Sequence, residues 1–234
     1  MSDSAWIFIP LLAQHITEKE FLVQHDVFIF DMDGTLCDSR PGILNGLNYT
    51  LEKLGRPPID EDEVLAYIGP PLQVSIQMLT GYEDPDKIES VLGIYREYYS
   101  DKGMYELSVY EGIEQTLIEL GKHARLGVCT SKRHDYAERI IENLDFGKYF
   151  DFVSGSQPGQ AKWEQLDQLL QHERISKQSV MIGDRLHDME AAHKNGLTKV
   201  GVLWGYGAKE ELLDAGADHL IEHPSALLEI AVAR

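Results

Sequence analysis

The sequence predicts an α/β fold, in which a Rossmann-like, doubly wound parallel sheet forms the core and an all-helical domain is inserted into it. Two observations lead to this prediction. Short apolar runs recur along the chain and alternate with helical patterns, and a long helical stretch, residues 41–108, follows the first run. Alternation of strands and helices favours a parallel sheet that is covered by helices on both faces.

The predicted strands are short, continuous apolar runs, as expected for strands that are buried on both faces of a sheet. They lie at residues 27–30, 126–129, 150–153, 179–182, 199–203 and 219–221. Apolar residues recur at helical spacing in residues 113–120, 136–144, 163–171 and 188–195. Strand and helix therefore alternate over the second half of the chain.

Residues 41–108 show helical periodicity and no convincing buried strand. Their apolar residues form three helical groups, which segments rich in Gly and Pro separate. We therefore predict an N-terminal extension of unassigned role at residues 1–25, a core domain made of residues 26–40 and 109–234, and a helical insert at residues 41–108.

The composition limits the possible partners. The chain has 234 residues and a formal net charge of −18, from 21 basic and 39 acidic residues. Such a surface repels nucleic acid and anionic membranes, whose binding requires clustered Lys and Arg. No apolar run approaches the roughly 20 residues of a membrane-spanning helix. Two cysteines, Cys37 and Cys129, are too few for a disulfide framework and suit a reducing compartment. We expect a cytoplasmic protein that binds neither nucleic acid nor membranes.

Polar residues follow three of the apolar runs, at the point where each strand ends: Asp31, Thr130 and Asp184. Ligands of open α/β sheets bind at the carboxyl ends of the strands. We therefore expect these three residues, which are far apart in sequence, to meet in one crevice.

The first strand ends in the sequence D-M-D-G-T. Its two carboxylates, Asp31 and Asp33, lie close enough in sequence to share a metal ion and a substrate. Gly34 gives the turn conformational freedom, and backbone N–H groups of such a turn can hold phosphate oxygens. An ordinary acidic turn that caps a helix is the alternative interpretation. Thr130 and Ser131, between a strand and a helix, also suit an anion, although helix capping alone would explain them.

Asp184 and Asp188 form the pattern G-D-x-x-x-D, which places one carboxylate at a strand end and the other about one helical turn further on. Mg²⁺ prefers oxygen ligands and is usually held by one or two carboxylates together with phosphate and water. The carboxylates of Asp31 and Asp184 with the carbonyl of Asp33 would form such a site. Asp188 has a simpler interpretation as an acidic residue in the first turn of a helix.

An acidic chain needs local cations to hold an anionic substrate. Lys162 lies between the third and fourth strands and is the candidate for this role, with Lys122, Lys132 and Lys177 as competitors. In the helical insert, Arg96 is the candidate for a contact with an anionic substrate. Spacing alone does not decide between the lysines.

Four segments together resemble the four motifs of the haloacid dehalogenase superfamily of phosphatases. They are D-M-D-G-T at 31–35, T-S at 130–131, Lys162, and G-D-x-x-x-D at 183–188, in matching order and spacing. The insert is similar to the helical cap of the phosphoglycolate phosphatase-like and 5′-nucleotidase-like subgroup. I-G-P-P-L at 68–72, Y-R-E-Y-Y at 95–99 and G-V-L-W-G-Y-G at 201–207 also resemble that subgroup. Residues 1–25 lie outside the resemblance.

The resemblance implies a Mg²⁺-dependent phosphatase that works through an aspartyl-phosphate. Asp31 would attack phosphorus. Asp33 would first protonate the leaving alcohol and then deprotonate the attacking water. Thr130 would hydrogen-bond the transferring phosphoryl group, and Lys162 would stabilise its charge.

The same resemblance implies the supporting contacts of this site. Gly34 and Ser131 would bind the phosphate together with the residues above. Asp184 would complete the Mg²⁺ site. Asp188 would ligate the ion through water or orient Lys162.

The substrate expected from the resemblance is a small phosphorylated metabolite such as phosphoglycolate. Activities of the same fold are the alternatives, namely 5′-nucleotidase, pyrophosphatase and sugar-phosphate mutase. A phospho-acceptor signalling module is an alternative of another class, but Asp33 and the helical insert argue against it, since receiver domains lack both. The enzyme would act as a monomer or weak homodimer, because no interface pattern stands out.

Overall fold

The computed structural model describes residues 25–157 and 159–231 of the chain. The strands in these residues are β1 (Val27–Phe30), β2 (Cys37–Asp38), β3 (Ser108–Val109), β4 (Arg125–Arg133), β5 (Phe152–Ser156), β6 (Val180–Gly183), β7 (Thr198–Val202) and β8 (His219–Ile221). The helices are α1 (Arg40–Lys53), α2 (Leu72–Thr80), α3 (Pro85–Tyr99), α4 (Ile113–Leu120), α5 (His134–Asn143), α6 (Lys162–Gln171), α7 (Leu186–Lys194), α8 (Lys209–Asp214) and α9 (Leu227–Ala231). Within the described ranges, every helix is too short or too polar to span a membrane.

Six strands form one parallel sheet in the order β5-β4-β1-β6-β7-β8. Phe28 of β1 is paired with Leu126 of β4 on one side and with Val180 of β6 on the other. β5 begins at Phe152, instead of residue 150 as predicted. The predicted α/β fold with a Rossmann-like parallel sheet is confirmed.

The side chains of β1 alternate between two apolar layers, because successive residues of a strand point to opposite faces of the sheet. Phe28 and Phe30 belong to a large buried cluster that includes residues of α4 and α5. Val27 and Ile29 belong to a second cluster, with residues of α6 and α7. The sheet thus lies between two layers of helices, which explains why its strands are continuous apolar runs.

The helical insert leaves the core after β2 and returns through β3. These two strands pair antiparallel, with Cys37 opposite Val109 and Asp38 opposite Ser108, so the outgoing and returning chains lie side by side. Between them, α3 packs against both α1 and α2. The division of the chain into a core domain and a separate helical domain at residues 41–108 remains a prediction.

Two elements of the insert differ from the predicted pattern. The helix predicted around residues 64–68 is a short 3₁₀ helix, Glu63–Tyr67, which follows a tight turn where Asp60 Oδ1 accepts hydrogen bonds from two backbone N–H groups. Helix α2 is absent from the predicted pattern, because the residues that flank it are typical of loops. They mark its two ends instead, since Pro71 is its N-cap and Gly81, at a φ of +70°, is its C-cap.

Gly42 of α1 and Gly93 of α3 provide a matched test of the packing in the insert. A Cβ atom at Gly42 would lie 1.9 Å from the carbonyl oxygen of Gly103, whereas one at Gly93 would have no neighbour within 4 Å. We expect Gly42→Ala to lower the free energy of unfolding by about 1–3 kcal/mol, because overpacking forces α1 away from the turn at Gly103.

Gly93→Ala is the control. Ala favours a helix by up to about 1 kcal/mol over Gly, so this variant should be at least as stable as the parent. Urea unfolding followed by circular dichroism gives both free energies. Equal stability of the two variants would contradict the close packing of α1 at Gly42.

Candidate active site

Three neighbouring strands, β4, β1 and β6, bring the predicted residues to one edge of the sheet. Asp31 directly follows β1, Asp184 directly follows β6, and Thr130 lies in the carboxyl-terminal half of β4. Asp188 lies on the first turn of α7. One carboxylate oxygen from each of Asp31, Asp184 and Asp188 lies within 4.8 Å of the other two. The three carboxylates therefore form one buried cluster, with Thr130 on the adjacent strand.

The ammonium group of Lys162, the first residue of α6, lies between two of these carboxylates. Its Nζ atom is 3.0 Å from Asp31 Oδ2 and 2.5 Å from Asp188 Oδ1, and the lysine side chain is only 5% exposed. Two of the competing lysines lie elsewhere. Lys122 forms a surface ion pair with Glu119, and Lys177 Nζ donates to the backbone carbonyl of Asn195, which follows α7.

The cluster holds more negative charge than Lys162 can balance. Burial raises the pKa of Asp31 from 3.8 to about 6, with Lys162 lowering the pKa and Asp188 raising it. Burial also raises the pKa of Asp184 well above its ordinary value, and the nearby Asp188 and Asp31 carboxylates add to the shift. For Lys162, burial acts to lower the pKa, but the attraction of Asp188 and Asp31 outweighs it and the pKa rises. The lysine stays charged, whereas full ionisation of the carboxylates is unfavourable.

A divalent cation would relieve this imbalance. Asp31 Oδ1 is buried and has no hydrogen-bond partner among the described residues. An unpartnered carboxylate oxygen beside further carboxylates is a suitable ligand for a hard cation such as Mg²⁺. Both oxygens of Asp188 already accept hydrogen bonds, Oδ1 from Lys162 and Oδ2 from the N–H of Arg185. The donor set fits Mg²⁺, with Asp31 and Asp184 better suited than Asp188 to direct contact.

The Asp33 carboxylate lies outside this cluster and has partners of its own. Its Oδ2 atom is 3.0 Å from Lys132 Nζ, and its Oδ1 atom accepts a 2.5 Å hydrogen bond from Ser39 Oγ. Lys132 Nζ also donates to the hydroxyl oxygen of Tyr99 at 2.6 Å. The sequence gives no sign of Ser39. It offers Tyr99 only as part of the motif Y-R-E-Y-Y, and Lys132 only as an alternative to Lys162.

Gly34 has the conformational freedom that the sequence predicts, but its backbone N–H is not placed to bind a phosphate as predicted. Its N–H donates to the Cys37 carbonyl at 2.9 Å, so it is not free to bind a phosphate. Its φ of +83° lies in the left-handed region, and a Cβ atom here would lie 2.1 Å from Asp184 Oδ2. A Cβ at Gly205 would lie 2.3 Å from the carbonyl oxygen of Gly34. The two glycines allow the turn after β1 and the loop after β7 to approach Asp184.

The loop after β7 supports the Asp184 carboxylate. The N–H of Tyr206 donates to Asp184 Oδ2 at 2.8 Å, and Thr35 Oγ1 donates to Oδ1 at 3.3 Å. Trp204 Nε1 donates in turn to the Thr35 carbonyl at 3.0 Å. The run G-V-L-W-G-Y-G therefore holds a carboxylate of the cluster, a role that the sequence pattern does not reveal.

Thr130 and Ser131 lie at an irregular point of β4. The pairing of β4 with β5 shifts register between Thr130 and Arg133, which marks a β-bulge or a similar irregularity, called the bulge below. Bulges redirect side chains and are common beside active sites. Thr130 Oγ1 accepts a hydrogen bond from the N–H of Lys132 at 3.3 Å, and the Thr130 carbonyl accepts one from Gln165 Nε2 at 3.2 Å. The bulge thus presents Thr130, Ser131 and Lys132 to the cavity that lies over the cluster.

This cavity, of about 680 Å³, lies between the core and the helical insert. Asp31 and Asp33 line it from the core, and Gln73 and Arg96 line it from the insert. Arg96 is not a lone cation, because its Nη1 atom pairs with Glu89 Oε1 at 2.7 Å.

Arg185 ties the insert to the core at the same edge. Its Nη1 atom donates to the carbonyls of Leu65 and Ile68 in the insert, and its Nε atom donates to Glu211 Oε1 at 2.9 Å. Arg185 directly follows Asp184, so neighbouring residues supply a carboxylate to the cluster and a contact to the insert. Sequence reasoning misses this contact, since the acceptors are backbone carbonyls.

Comparison with known proteins identifies the family. The haloacid dehalogenase-like hydrolase family model matches residues 28–202, which is most of the chain, so the chain belongs to this family. It is 32% identical over 220 residues to a 5′-nucleotidase from Pseudomonas aeruginosa, covering 91% of this chain and 98% of that protein. It is 30% identical over 210 residues to the tyrosine-protein kinase PtkA of Mycobacterium tuberculosis, covering 88% of this chain and 71% of that protein.

The fold has equally close relatives among solved structures. A haloacid dehalogenase-like hydrolase, SP0104 from Streptococcus pneumoniae, superposes with a TM-score of 0.82 at 33% identity, covering 88% of this chain and 98% of that chain. The resemblance that the motifs suggest is therefore confirmed at the level of the family and the fold.

The carboxylate cluster predicts that Mg²⁺ stabilises the folded protein. At a hundredfold excess over its Kd, a ligand of the folded state adds about 2.7 kcal/mol, which corresponds to a rise in Tm of about 5 °C or more. Asp184→Asn should remove most of this rise, because it removes a charged ligand. Asp101→Asn, at an exposed position of the insert, is the control and should keep the rise.

The same measurement has a predicted pH dependence. The folded-state pKa of Asp31 is raised to about 6 from 3.8, so without metal the protein loses stability as the pH rises across that window. Mg²⁺ requires the ionised carboxylate. The rise in Tm should therefore be larger at pH 7.5 than at pH 5. An equal rise at both values, or a full rise in Asp184→Asn, would show that the ion binds elsewhere.

Proposed function

We propose that this haloacid dehalogenase-like hydrolase is a Mg²⁺-dependent phosphatase in which Asp31 is the covalent nucleophile on a small phosphate monoester. The observation that carries the proposal is the surroundings of Asp31. One of its oxygens lies 3.0 Å from Lys162 Nζ, the other is buried without a partner among the described residues, and the residue lines the cavity. A fixed carboxylate beside a cation is suited to attack a bound phosphate.

In the first step, a carboxylate oxygen of Asp31 would form a bond to phosphorus while the bond from phosphorus to the ester oxygen breaks. Asp33 would give a proton to the departing oxygen, so that an alcohol and an aspartyl-phosphate form. Thr130 and Lys162 would bind the transferring phosphoryl group and balance its charge. Mg²⁺, held by Asp31, Asp184 and the Asp33 carbonyl, would supply positive charge to the phosphate oxygens.

In the second step, the oxygen of a water molecule would attack phosphorus while the ionised Asp33 accepts a proton from that water. The bond from phosphorus to Asp31 breaks, which releases inorganic phosphate and restores the Asp31 carboxylate. This scheme requires Asp31 to act as nucleophile and Asp33 to carry protons. The different partners of the two side chains support that division, since Asp31 faces Lys162 and Asp33 faces Lys132 and Ser39.

The substrate class follows from the cavity and the relatives. A cavity of about 680 Å³ is within the usual range for small-molecule sites. The name of the Pseudomonas relative supports a nucleoside 5′-monophosphate, whereas the motif resemblance supports phosphoglycolate. Rates with both esters, a sugar phosphate and pyrophosphate, each with Mg²⁺, would rank these candidates.

The nucleophile and the proton carrier can be separated by two substitutions. We expect Asp31→Asn to abolish phosphate release from p-nitrophenyl phosphate, because an amide cannot form the covalent intermediate. Asp33→Asn should still form the intermediate but hydrolyse it slowly. Mass spectrometry after acid quench should then find one added phosphoryl group on the peptide that contains Asp31.

Thermal melting of both variants is the control for folding. Phosphate release by Asp31→Asn within tenfold of the parent would refute the nucleophile assignment. A phosphoryl group that persists on the parent protein would favour a signalling module, and its transfer to a tyrosine-containing peptide would favour a kinase.

Arg96 offers a test of specificity at the cavity wall. A second anionic group on a substrate has to compete with Glu89 for this arginine. The free energy of an exposed ion pair such as Arg96–Glu89 is at most about 1 kcal/mol, which sets the cost of that competition. We expect Glu89→Gln to raise kcat/KM for phosphoglycolate by about twofold to fivefold. The value for 2-hydroxyethyl phosphate, which lacks the carboxylate, should stay unchanged.

Glu97→Gln is the matched control, because Glu97 is on the same helix and pairs with Tyr49 instead. It should alter neither ester. An equal change in kcat/KM for both esters in Glu89→Gln would contradict a contact between Arg96 and the leaving group.

A further inference from the structure

We propose that Lys132 is a positioning residue: it holds the Asp33 side chain in place for hydrolysis of the aspartyl-phosphate, and Tyr99 of the insert holds Lys132 in turn. The inference rests on the proposed function, because it presupposes that Asp33 takes a proton from water in the second step. It adds a second lysine to the site and gives the insert a part in proton transfer.

The contacts of Lys132 differ from those of Lys162. Its Nζ atom lies 3.0 Å from Asp33 Oδ2 and donates to the Tyr99 hydroxyl oxygen at 2.6 Å, and its side chain is 7% exposed. The Nζ atom therefore has two protein partners, and the side chain is almost fully buried at the wall of the cavity. The contact with Oδ2 fixes where the Asp33 carboxyl group lies, which its part in hydrolysis of the intermediate requires.

The backbone fixes the direction of the Lys132 side chain. The bulge between Thr130 and Arg133 takes Lys132 out of the regular pairing with β5. The N–H of Lys132 donates to Thr130 Oγ1, the hydroxyl that would contact the phosphoryl group. The hydroxyl proposed to contact the phosphoryl group and the lysine that faces Asp33 are therefore joined by a hydrogen bond within one short segment of β4.

The second oxygen of Asp33 is held from another direction. Ser39 Oγ donates to Asp33 Oδ1 at 2.5 Å, and the N–H of Ser39 donates to the Tyr206 hydroxyl oxygen at 2.9 Å. Ser39 is 1% exposed. Because Lys132 and Ser39 hold different oxygens of Asp33, they fix the plane of its carboxyl group. Without Lys132, the carboxyl group could rotate about its remaining hydrogen bond to Ser39.

Tyr99 carries the influence of the insert. It is a buried residue at the end of α3, and its ring stacks on Tyr95 at a centroid distance of 5.2 Å. On the core side it meets the ring of Tyr136 of α5, edge to face, at 5.4 Å. These contacts fix the hydroxyl that receives the Lys132 N–H. Asp33 is therefore held in place when α3 lies on the core.

The test separates the two chemical steps with 2,4-dinitrophenyl phosphate, whose leaving group needs no proton. For this ester kcat/KM reports formation of the intermediate, and a slow second step lowers kcat alone. We expect Lys132→Met to lower kcat by about tenfold to a hundredfold, as misplacement of a catalytic group does. It should keep kcat/KM within about threefold and accumulate phosphorylated Asp31 after acid quench.

Three further variants complete the design. Tyr99→Phe should also lower kcat while keeping kcat/KM, but the fall in kcat should be smaller than in Lys132→Met. The ring stays and only the hydroxyl is removed. Adding Lys132→Met to Asp33→Asn should cause no further loss of kcat, since the lysine acts through Asp33. Lys122→Met, at a surface ion pair of α4, is the control and should change neither parameter.

The outcomes are distinct. An equal fall of kcat and kcat/KM in Lys132→Met would overturn the proposal, because it would make the lysine a phosphate-binding group. Unchanged kcat, or a further loss on top of Asp33→Asn, would overturn it as well. Should Lys132→Met fail to fold, Tyr99→Phe decides, with unchanged kcat counting against the proposal. Failure of the proposed function is separate, since the parent would then release no more than one equivalent of dinitrophenol.

Discussion

One buried ammonium group, that of Lys162, holds the arrangement at the carboxyl edge of the sheet together. It lies 3.0 Å from Asp31 and 2.5 Å from Asp188, and Asp184 completes a group of carboxylates whose oxygens lie within 4.8 Å of one another. Carboxylates this close repel one another, and burial strengthens the effect because water does not screen them. The fold brings them together only because β1 and β6 are adjacent strands whose hydrogen bonds fix where each residue emerges.

The two carboxylates of the D-M-D-G-T turn divide the site into two halves. Asp31 has Lys162 as its cation and faces the carboxylate cluster, whereas Asp33 has Lys132 and faces the insert. The two lysines come from different elements, α6 and the bulged end of β4. Asp31 and Asp33 are therefore close in sequence but have different surroundings. The proposed roles, nucleophilic attack for Asp31 and proton transfer for Asp33, require such a difference.

The sequence predicts the core of this site better than its periphery, for physical reasons. Parallel strands buried on both faces must be continuous apolar runs, and their carboxyl ends must share one edge, so the meeting of Asp31, Thr130 and Asp184 follows from pattern alone. Lys132 and Tyr99 meet across 33 positions of the chain, and their contact depends on how the insert sits on the core. Spacing holds no information on that orientation.

Local rules fail in the insert for a related reason. Proline before α2 and glycine after it are typical both of loops and of helix ends. Whether a helix forms between them depends on the packing of its buried residues. Gly34 shows the same limit at the site. A glycine in a turn after a strand suggests a phosphate-binding backbone, but here the close approach of Asp184 requires it.

The charge balance of the site bears on how a proposed metal ion and an anionic substrate would bind. If all four carboxylates, those of Asp31, Asp33, Asp184 and Asp188, were ionised, they would face only the two ammonium groups of Lys132 and Lys162, which would leave two negative charges uncompensated. The chain as a whole, at −18, adds to the repulsion of an anion. A phosphate dianion would therefore be repelled by the site without a metal, and a divalent cation would bring the site to neutrality. On these grounds a proposed Mg²⁺ ion is as much a condition for substrate binding as a contributor to the reaction.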